Sequence, residues 1–311
     1  MEGGHVSVLV KEVLNFLKCE SSKVYVDCTI GDGGHSYAIL KKSTPNGLVI
    51  GIDQDMEAIE YAKKRLSCLK ERIVFIHDNF CNIKKILKRI NILKVDGILF
   101  DLGVSSRQLD STERGFSFSH DAPLDMRMDR SKGISAADLV NELPFEDLYI
   151  IFKRYGEEKW SYRIAKAIVR EREVHPIRST SQLADIVTST IPISYRSRRI
   201  HPATKTFQAL RIAVNKELTA LEEALRDAID LLNQGSRICV ISFHSLEDRI
   251  VKDMFRVMER GCSCPSEIPI CMCRGERKVR VLTKGPVIPS KEEISINPRS
   301  RSAKLRVAER L

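Results

Sequence analysis

The sequence predicts an α/β fold in which a doubly wound, mostly parallel sheet carries an inserted helical domain. In the first hundred residues, short apolar runs alternate with amphipathic segments, the pattern of buried parallel strands covered by helices. From about residue 109 to residue 214 this alternation gives way to helical spacing and proline-containing loops. It then resumes, so we expect the insertion to interrupt the sheet.

Four strands and three helices are predicted before the insertion. Short runs of branched apolar residues place the strands at residues 24–28, 48–52, 73–77 and 95–100. The amphipathic segments between them place the helices at residues 35–42, 56–69 and 83–90. Each crossover between parallel strands should be right-handed.

The later elements are predicted in the same way, from helical spacing and from short apolar runs. Helical spacing within the insertion places helices at residues 146–152, 161–173 and 181–189. After the insertion we expect a helix at residues 216–232, which Gly235 ends, a strand at residues 237–242 and a helix at residues 246–259. An antiparallel pair of edge strands is expected at residues 278–283 and 305–308. The chain is thus predicted to comprise a discontinuous domain, residues 1–108 and 215–311, and an inserted domain, residues 109–214.

Composition indicates a globular protein with a polyanionic partner. In 311 residues, 51 Lys and Arg exceed 41 Asp and Glu by ten. Between Asp185 and Glu217 there are six basic residues and no acid, which favours a polyanion, although a solvated basic surface is the alternative. With 6% aromatic residues, a stacking platform for long single strands is not expected.

Targeting signals are not evident. No apolar run approaches the roughly 20 residues that a bilayer requires, and the first residues lack the basic and apolar regions of a signal peptide. We therefore expect a cytoplasmic protein with no membrane partner.

The nine cysteines fall into two groups. Five are scattered in apolar or helical contexts and are expected to be core thiols rather than disulfides. The other four form two Cys-X-Cys pairs that could hold a structural zinc, namely Cys262, Cys264, Cys271 and Cys273. No catalytic metal is predicted, and the ligand of this quartet stays open.

A glycine-rich turn follows the first predicted strand. Asp27 ends that strand, and Gly31-Asp-Gly-Gly34 allows a ligand to approach the backbone at the start of the next helix. A dinucleotide-binding motif would have a third glycine where this chain has Ser36, which argues against NAD.

Three further residues stand just after predicted strands. Asp53 could accept hydrogen bonds from both hydroxyls of a ribose, with Asp55 as the cap of the next helix, although a helix N-cap is an alternative for both residues. Phe80 offers a flat surface for an adenine, or is an ordinary core residue. Asp101 opens the segment 101–110 at the end of the fourth strand, where ligands bind in open α/β sheets.

Eight segments resemble one known family. They are residues 27–36, 101–106, 115–118, 123–129, 155–158, 203–211, 241–249 and 297–306. Together they are similar to the MraW family of S-adenosylmethionine-dependent 16S rRNA methyltransferases. The resemblance implies a Rossmann-like class I methyltransferase fold and methylation of the exocyclic N4 of a cytidine in the decoding centre of 16S ribosomal RNA. The implied partner is 16S rRNA within the small ribosomal subunit, and free RNA is the alternative that stays open.

The resemblance also implies roles for individual residues. The implied cofactor contacts are Gly33, Gly34, His35, Asp53, Phe80, Asp101 and Gln108. Asp101 is also a hypothetical acceptor for the target amine. Candidate contacts to the RNA are Ser105, Arg114, Arg127, Lys205, Arg211 and His244. For the four cations the alternative is a salt bridge to Glu113, Asp125 or Glu157, and for His244 it is a structural role.

Two other functions remain open on the sequence. One is a methyltransferase for protein or DNA, which would share the cofactor site. The other is a nucleotide-sensing RNA-binding module without turnover. Neither the residues nor the resemblance decides the oligomeric state, for which a homodimer is one alternative.

Overall fold

The chain divides into two compact units. A computed structural model describes residues 7–197, 200–261 and 275–311. Unit 1 comprises the described residues of Met1–Gly103 and Leu218–Leu311, and unit 2 is Val104–Glu217. The division lies a few residues from the predicted one because Val104 and Leu109 pack into the core of unit 2.

Unit 1 contains a seven-stranded sheet in the order β3-β2-β1-β4-β5-β7-β6. The strands are β1 Val24–Asp27, β2 Leu48–Asp53, β3 Ile73–His77, β4 Val95–Asp101, β5 Leu232–Ser242, β6 Val279–Val281 and β7 Lys304–Arg310. β1 to β5 are parallel, and β7 is antiparallel to both of its neighbours. The predicted mostly parallel sheet and its antiparallel tail pair are therefore confirmed.

In the described residues of unit 1, seven α-helices alternate with the strands along the chain. They are α1 Val10–Leu17, α2 Gly34–Lys42, α3 Met56–Arg65, α4 Ile83–Arg89, α11 Glu217–Leu231, α12 Ser245–Arg260 and α13 Lys291–Ile296. No helix in the described part of either unit combines the length and apolarity needed to span a membrane.

Burial on both faces explains why the strands are continuous apolar runs. Successive residues of β4 enter different cores, with Ile98 and Phe100 in one cluster and Leu99 in the other. Val49 and Ile50 of β2 divide in the same way. A sheet covered on both sides disfavours polar residues in the middle of its strands.

Unit 2 is helical and has a core of its own. Its helices are α5 Ser106–Asp110, α6 Ala136–Glu142, α7 Phe145–Tyr155, α8 Ser161–Arg172, α9 Thr180–Thr190 and α10 Thr204–Asn215. Phe152, Ile164 and Leu210, from three of these helices, are fully buried in one cluster. The helices predicted at residues 146–152, 161–173 and 181–189 correspond to α7, α8 and α9.

The prediction that Gly235 ends a helix is wrong. α11 ends at Leu231, and Gly235 lies within β5 at a φ of 79°. The pairing of β5 with β4 shifts register between Val95 and Gly97, so the positive φ serves a strand irregularity. A glycine signals the backbone conformation alone, and both a helix end and a bulge can require it.

Candidate functional site

Three aspartates end neighbouring strands of the unit 1 sheet. Asp27 is the last residue of β1, Asp53 of β2 and Asp101 of β4. β1 pairs in parallel with both β2 and β4, so the three carboxylates lie along one edge of the sheet. The strand order reverses between β1 and β4, and in open α/β sheets ligands bind at such a point.

The turn after β1 requires glycine at two positions. Gly31 and Gly33 have φ values of 48° and 74°, in the left-handed region. A Cβ on Gly33 would also lie 3.0 Å from Leu66 Cδ1. Glycine at the buried position 33 thus allows close packing against α3 and its end, whereas a Cβ on Gly31 would meet only Thr29 O, at 3.9 Å.

Asp53 is bound to this turn through its carboxylate. Oδ2 accepts a hydrogen bond from Gly31 N (2.9 Å) and Oδ1 accepts one from Asp55 N (2.9 Å). Burial raises the pKa of Asp53 to about 6, although these backbone bonds act to lower it. The N-cap of α3 is Asp55, which accepts from Glu57 N, so the N-cap alternative for Asp53 is wrong and the cap role of Asp55 is confirmed.

His35 joins two of the strand ends electrostatically. The ring is 5% exposed, and Nε2 lies 3.4 Å from Asp101 Oδ2. Burial acts to lower the pKa of His35, but hydrogen bonding to Asp101 and its charge, together with the charge of Asp27, outweigh burial and raise it. Among the described residues, the buried atoms Asp101 Oδ1 and His35 Nδ1 have no hydrogen-bond partner.

Asp27 is a functional candidate whose contacts the sequence did not reveal. It is 1% exposed, and its Oδ2 accepts a hydrogen bond from Ser36 Oγ (2.7 Å). Burial raises its pKa, although the charge of His35 opposes this. Thr29 links the network to β4 because its Oγ1 accepts from Asp101 N (2.6 Å). Ser36, which replaces the third glycine of a dinucleotide motif, is therefore the donor that holds Asp27.

Phe80 lies beyond β3 and is half-buried. Its ring contacts Phe100 edge to face, with centroids 5.5 Å apart, and packs against one core cluster of unit 1. Part of the Phe80 side chain therefore packs as an ordinary core residue, which was the alternative to an adenine contact. Its contact with an adenine stays a prediction.

Ser105 and Gln108 belong to unit 2, where they hold the start of α5. Ser105 Oγ accepts from Gln108 N (3.2 Å), and Gln108 Oε1 accepts from Ser105 N (2.9 Å). This reciprocal pair is a capping box. The sequence contains the signal of a capping box, a serine followed three residues later by glutamine, whereas the resemblance implies ligand contacts for these two residues.

Two of the arginines predicted to bind RNA hold one loop of unit 2. Arg114 is 2% exposed, and its Nη2 donates to the carbonyls of Arg127 (3.1 Å) and Met128 (3.0 Å). The Arg127 guanidinium forms two hydrogen bonds with Asp125, at 2.7 and 3.0 Å. Burial disfavours a phosphate contact for Arg114, and Arg127 forms one of the salt bridges considered as the alternative.

The other two predicted cations also have partners within unit 2. Arg211 forms two 2.8 Å hydrogen bonds with the carboxylate of Glu217. Lys205 is exposed, and its Nζ donates to the carbonyl of Glu157 at 3.0 Å. The sequence indicated Glu157 as a partner but not that the backbone oxygen would accept.

His244 is at the N-cap of α12, just beyond β5. Nδ1 accepts from Glu247 N (3.4 Å), and Nε2 lies 3.1 Å from Glu247 Oε1. These contacts are the structural role considered as the alternative, and the RNA contact stays a prediction. The cysteine quartet 262–273 lies outside the described residues.

Sequence comparison assigns the family. The family model described as the MraW methylase family matches residues 2–311. The chain belongs to the MraW methylase family. This confirms the predicted family, the methyltransferase fold and S-adenosylmethionine as the cofactor.

Similar proteins cover the whole chain. A ribosomal RNA small subunit methyltransferase H from Geobacter sp. (strain M21) is 54% identical over 307 residues, 99% of this chain and 98% of the relative. One from Clostridioides difficile (strain 630) is 52% identical over 311 residues, all of both chains. A solved rRNA methylase from Streptococcus thermophilus has a TM-score of 0.43 at 12% identity, covering 100% of this chain and 99% of that one, and adds nothing to the topology above.

Proposed function

We propose that this protein transfers a methyl group from S-adenosylmethionine to the exocyclic N4 of a cytidine in the decoding centre of 16S ribosomal RNA. The names of its relatives support small-subunit rRNA as the substrate. The observation that carries the proposal is the edge of the sheet, where Asp53 and Asp101 end parallel strands beside a glycine turn.

The residues of this edge fit the cofactor. Asp53 would accept hydrogen bonds from the ribose hydroxyls, and its two backbone donors fix the carboxylate for that task. Gly33 and Gly34 allow the methionine part to approach the backbone, next to His35. Phe80 would border the adenine, and the cofactor contact of Gln108 stays a prediction. Bound S-adenosylmethionine supplies a methyl group on a positively charged sulfur.

Asp101 is the proposed acceptor for the target amine. Cytosine N4 is a weak nucleophile because its lone pair is delocalised into the ring. A carboxylate that accepts a hydrogen bond from the amine favours pyramidal nitrogen, and it can take the proton that nitrogen loses as it gains the methyl group. The buried Oδ1 of Asp101, which has no partner among the described residues, is the atom for this role.

His35 orients the Asp101 side chain and favours its ionised form. Its raised pKa favours the imidazolium form, which stabilises the Asp101 carboxylate beside it. The protein's main contribution is to hold nitrogen and methyl in line at close distance, since orientation alone can supply several kcal/mol of a displacement barrier.

A labelled methyl transfer assay tests the function. The protein is incubated with isotopically labelled S-adenosylmethionine and, in separate reactions, a 16S rRNA transcript, small ribosomal subunits, DNA and ribosomal protein. Nucleoside mass spectrometry should find N4-methylcytidine in an RNA fraction, and the comparison of transcript with subunits identifies the form of the substrate. Label in DNA or protein alone, or no N4-methylcytidine in any fraction, would show that the proposal is wrong.

A further inference from the structure

One face of α8 presents a row of basic residues. Lys159 precedes the helix, and Arg163, Lys166 and Arg170 follow at spacings of four, three and four residues. At about 100° per residue the three helical positions fall within a sector of roughly 60° and extend along about 10 Å of the helix axis, and Lys159 lies in the turn just before the helix. We name these four residues the α8 stripe.

The charges of the α8 stripe are exposed and largely unmatched. All four residues are exposed. Arg170 lies 3.9 Å from the exposed carboxylate of Glu171, a weak pair in water. Within the described part of the chain, no ion pair involves Lys159, Arg163 or Lys166. The stripe therefore differs from Arg114, Arg127 and Arg211, whose charges are used inside unit 2.

The opposite face of α8 is fixed in the core of unit 2. Ile164, Ala165 and Ile168 are completely buried there. Because this face is packed, three of the four charges are presented from a rigid helix rather than from a loop. A preorganised row of cations loses less conformational entropy when it binds a ligand.

An aromatic pair lies at the start of the α8 stripe. Trp160 and Tyr195 contact each other with ring centroids 5.3 Å apart, and Tyr195 is 71% exposed. The Arg163 guanidinium lies 4.8 Å from the centre of the Trp160 ring. Aromatic rings beside cations suit a nucleic acid, whose bases stack while its phosphates pair with Lys and Arg.

We propose that the α8 stripe binds the sugar-phosphate backbone of RNA, with the Trp160–Tyr195 pair contacting an adjacent unpaired base. That the RNA belongs to 16S rRNA rests on the function proposed above. RNA is favoured over an acidic protein because the cations form a regular line next to exposed aromatic rings, which matches a repeating chain of phosphates and bases.

The test measures RNA binding against salt concentration. Affinity for a fluorescent 16S rRNA transcript is compared between the wild type and the triple variant R163A/K166A/R170A. Each phosphate contact contributes about 0.7 to 0.9 to the slope of log affinity against log salt. We expect that slope to fall by about 2 and the affinity at 0.1 M salt to fall roughly tenfold or more. Cofactor affinity and thermal unfolding should stay at wild-type values.

A matched control removes three charges elsewhere. Lys84, Lys85 and Lys88 are exposed on α4 of unit 1, so K84A/K85A/K88A gives the same change in net charge. We expect this variant to retain most of the affinity. Equal losses in both variants, or unchanged binding in the α8 variant, would overturn the proposal, as would equal competition by polyglutamate of the same charge.

The only tryptophan of the chain provides a second measurement. RNA should change the emission of Trp160 in a saturable manner with the same dissociation constant. RNA binding without any change in emission would contradict the aromatic contact. The two proposals fail separately, because a wild type that binds RNA through the α8 stripe but forms no N4-methylcytidine refutes only the proposed function.

Discussion

Two aspartates at strand ends of unit 1 and two aspartates in a loop of unit 2 have opposite surroundings. Asp27 is buried and Asp53 half-buried, both have raised pKa values, and no Lys or Arg pairs with them among the described residues. In unit 2 the pKa of Asp125 is lowered by hydrogen bonds and charge from Arg127, in spite of burial. Asp129 is likewise bound to Lys132 at 2.8 Å and has a pKa of about 2.

This difference separates carboxylates kept for a ligand from carboxylates that hold the fold. A carboxylate that pairs with a cation inside the protein stabilises the fold, and its charge and hydrogen-bonding capacity are largely used by that partner rather than by a substrate. An unmatched buried carboxylate costs stability, and perturbed groups of this type cluster at functional sites. The substitutions below test whether a residue serves a ligand or holds the fold.

Asp101→Asn should give the largest effect. If Asp101 accepts the proton of the target amine, kcat for methyl transfer should fall by about 100-fold, since asparagine cannot take a proton. Cofactor affinity should change much less. Single-turnover transfer to rRNA with saturating cofactor measures the step, and full turnover with intact cofactor affinity would exclude the acceptor role.

Asp53→Asn should weaken S-adenosylmethionine binding by roughly 10- to 100-fold, because bonds to a charged acceptor contribute about 1.5–3 kcal/mol. With a pKa of about 6, wild-type affinity should fall as the pH drops through 6 and the carboxylate is protonated. Calorimetric titration from pH 5 to 8 measures both.

Asp55→Asn is the matched control for that prediction, since asparagine caps helices as well as aspartate. It should leave affinity at pH 8 unchanged, and because the charge of Asp55 acts to raise the pKa of Asp53, the loss of affinity should move to lower pH rather than disappear. A pH dependence that persists in Asp53→Asn would assign it to another group.

Arg114→Met should destabilise unit 2 by about 2 kcal/mol, because two buried carbonyls lose their charged donor. Denaturant unfolding measures the change. Arg130→Met removes an exposed arginine 3.7 Å from Asp125 and should cost less than about 0.5 kcal/mol. Loss of RNA affinity in Arg114→Met with unchanged stability would instead support its predicted phosphate contact.

Acid should affect unit 2 through Asp129, with the smallest magnitude. Its pKa is lowered from 3.8 to about 2, so its stabilising effect is present above pH 4 and is lost as the pH falls towards 2. After allowance for solvent screening we expect about 1 kcal/mol. Asp129→Asn should therefore lower the free energy of unfolding at pH 6 but not at pH 2, and an equal loss at both would exclude this ion pair as the cause.

Local sequence determined the strands and the acids that end them. Apolar runs such as residues 98–100 must be buried on both faces, so the first polar residue after each run stands at the sheet edge. The glycine turn and Asp53 could be placed for the same reason. The prediction that Gly235 ends a helix was wrong because a glycine suits both a helix end and a bulge in a strand.

Only the tertiary structure decided which charges are matched. Arg114, Arg127 and Arg211 resemble the α8 stripe in composition, yet their partners come from loops and helix ends brought close by folding. Asp27 and Ser36 likewise meet only once α2 packs beside β1. Sequence spacing fixes which residues share a helix face or a strand end, whereas electrostatic partnership depends on distances of a few ångströms that the folded backbone sets, even for residues as near in the chain as Arg211 and Glu217.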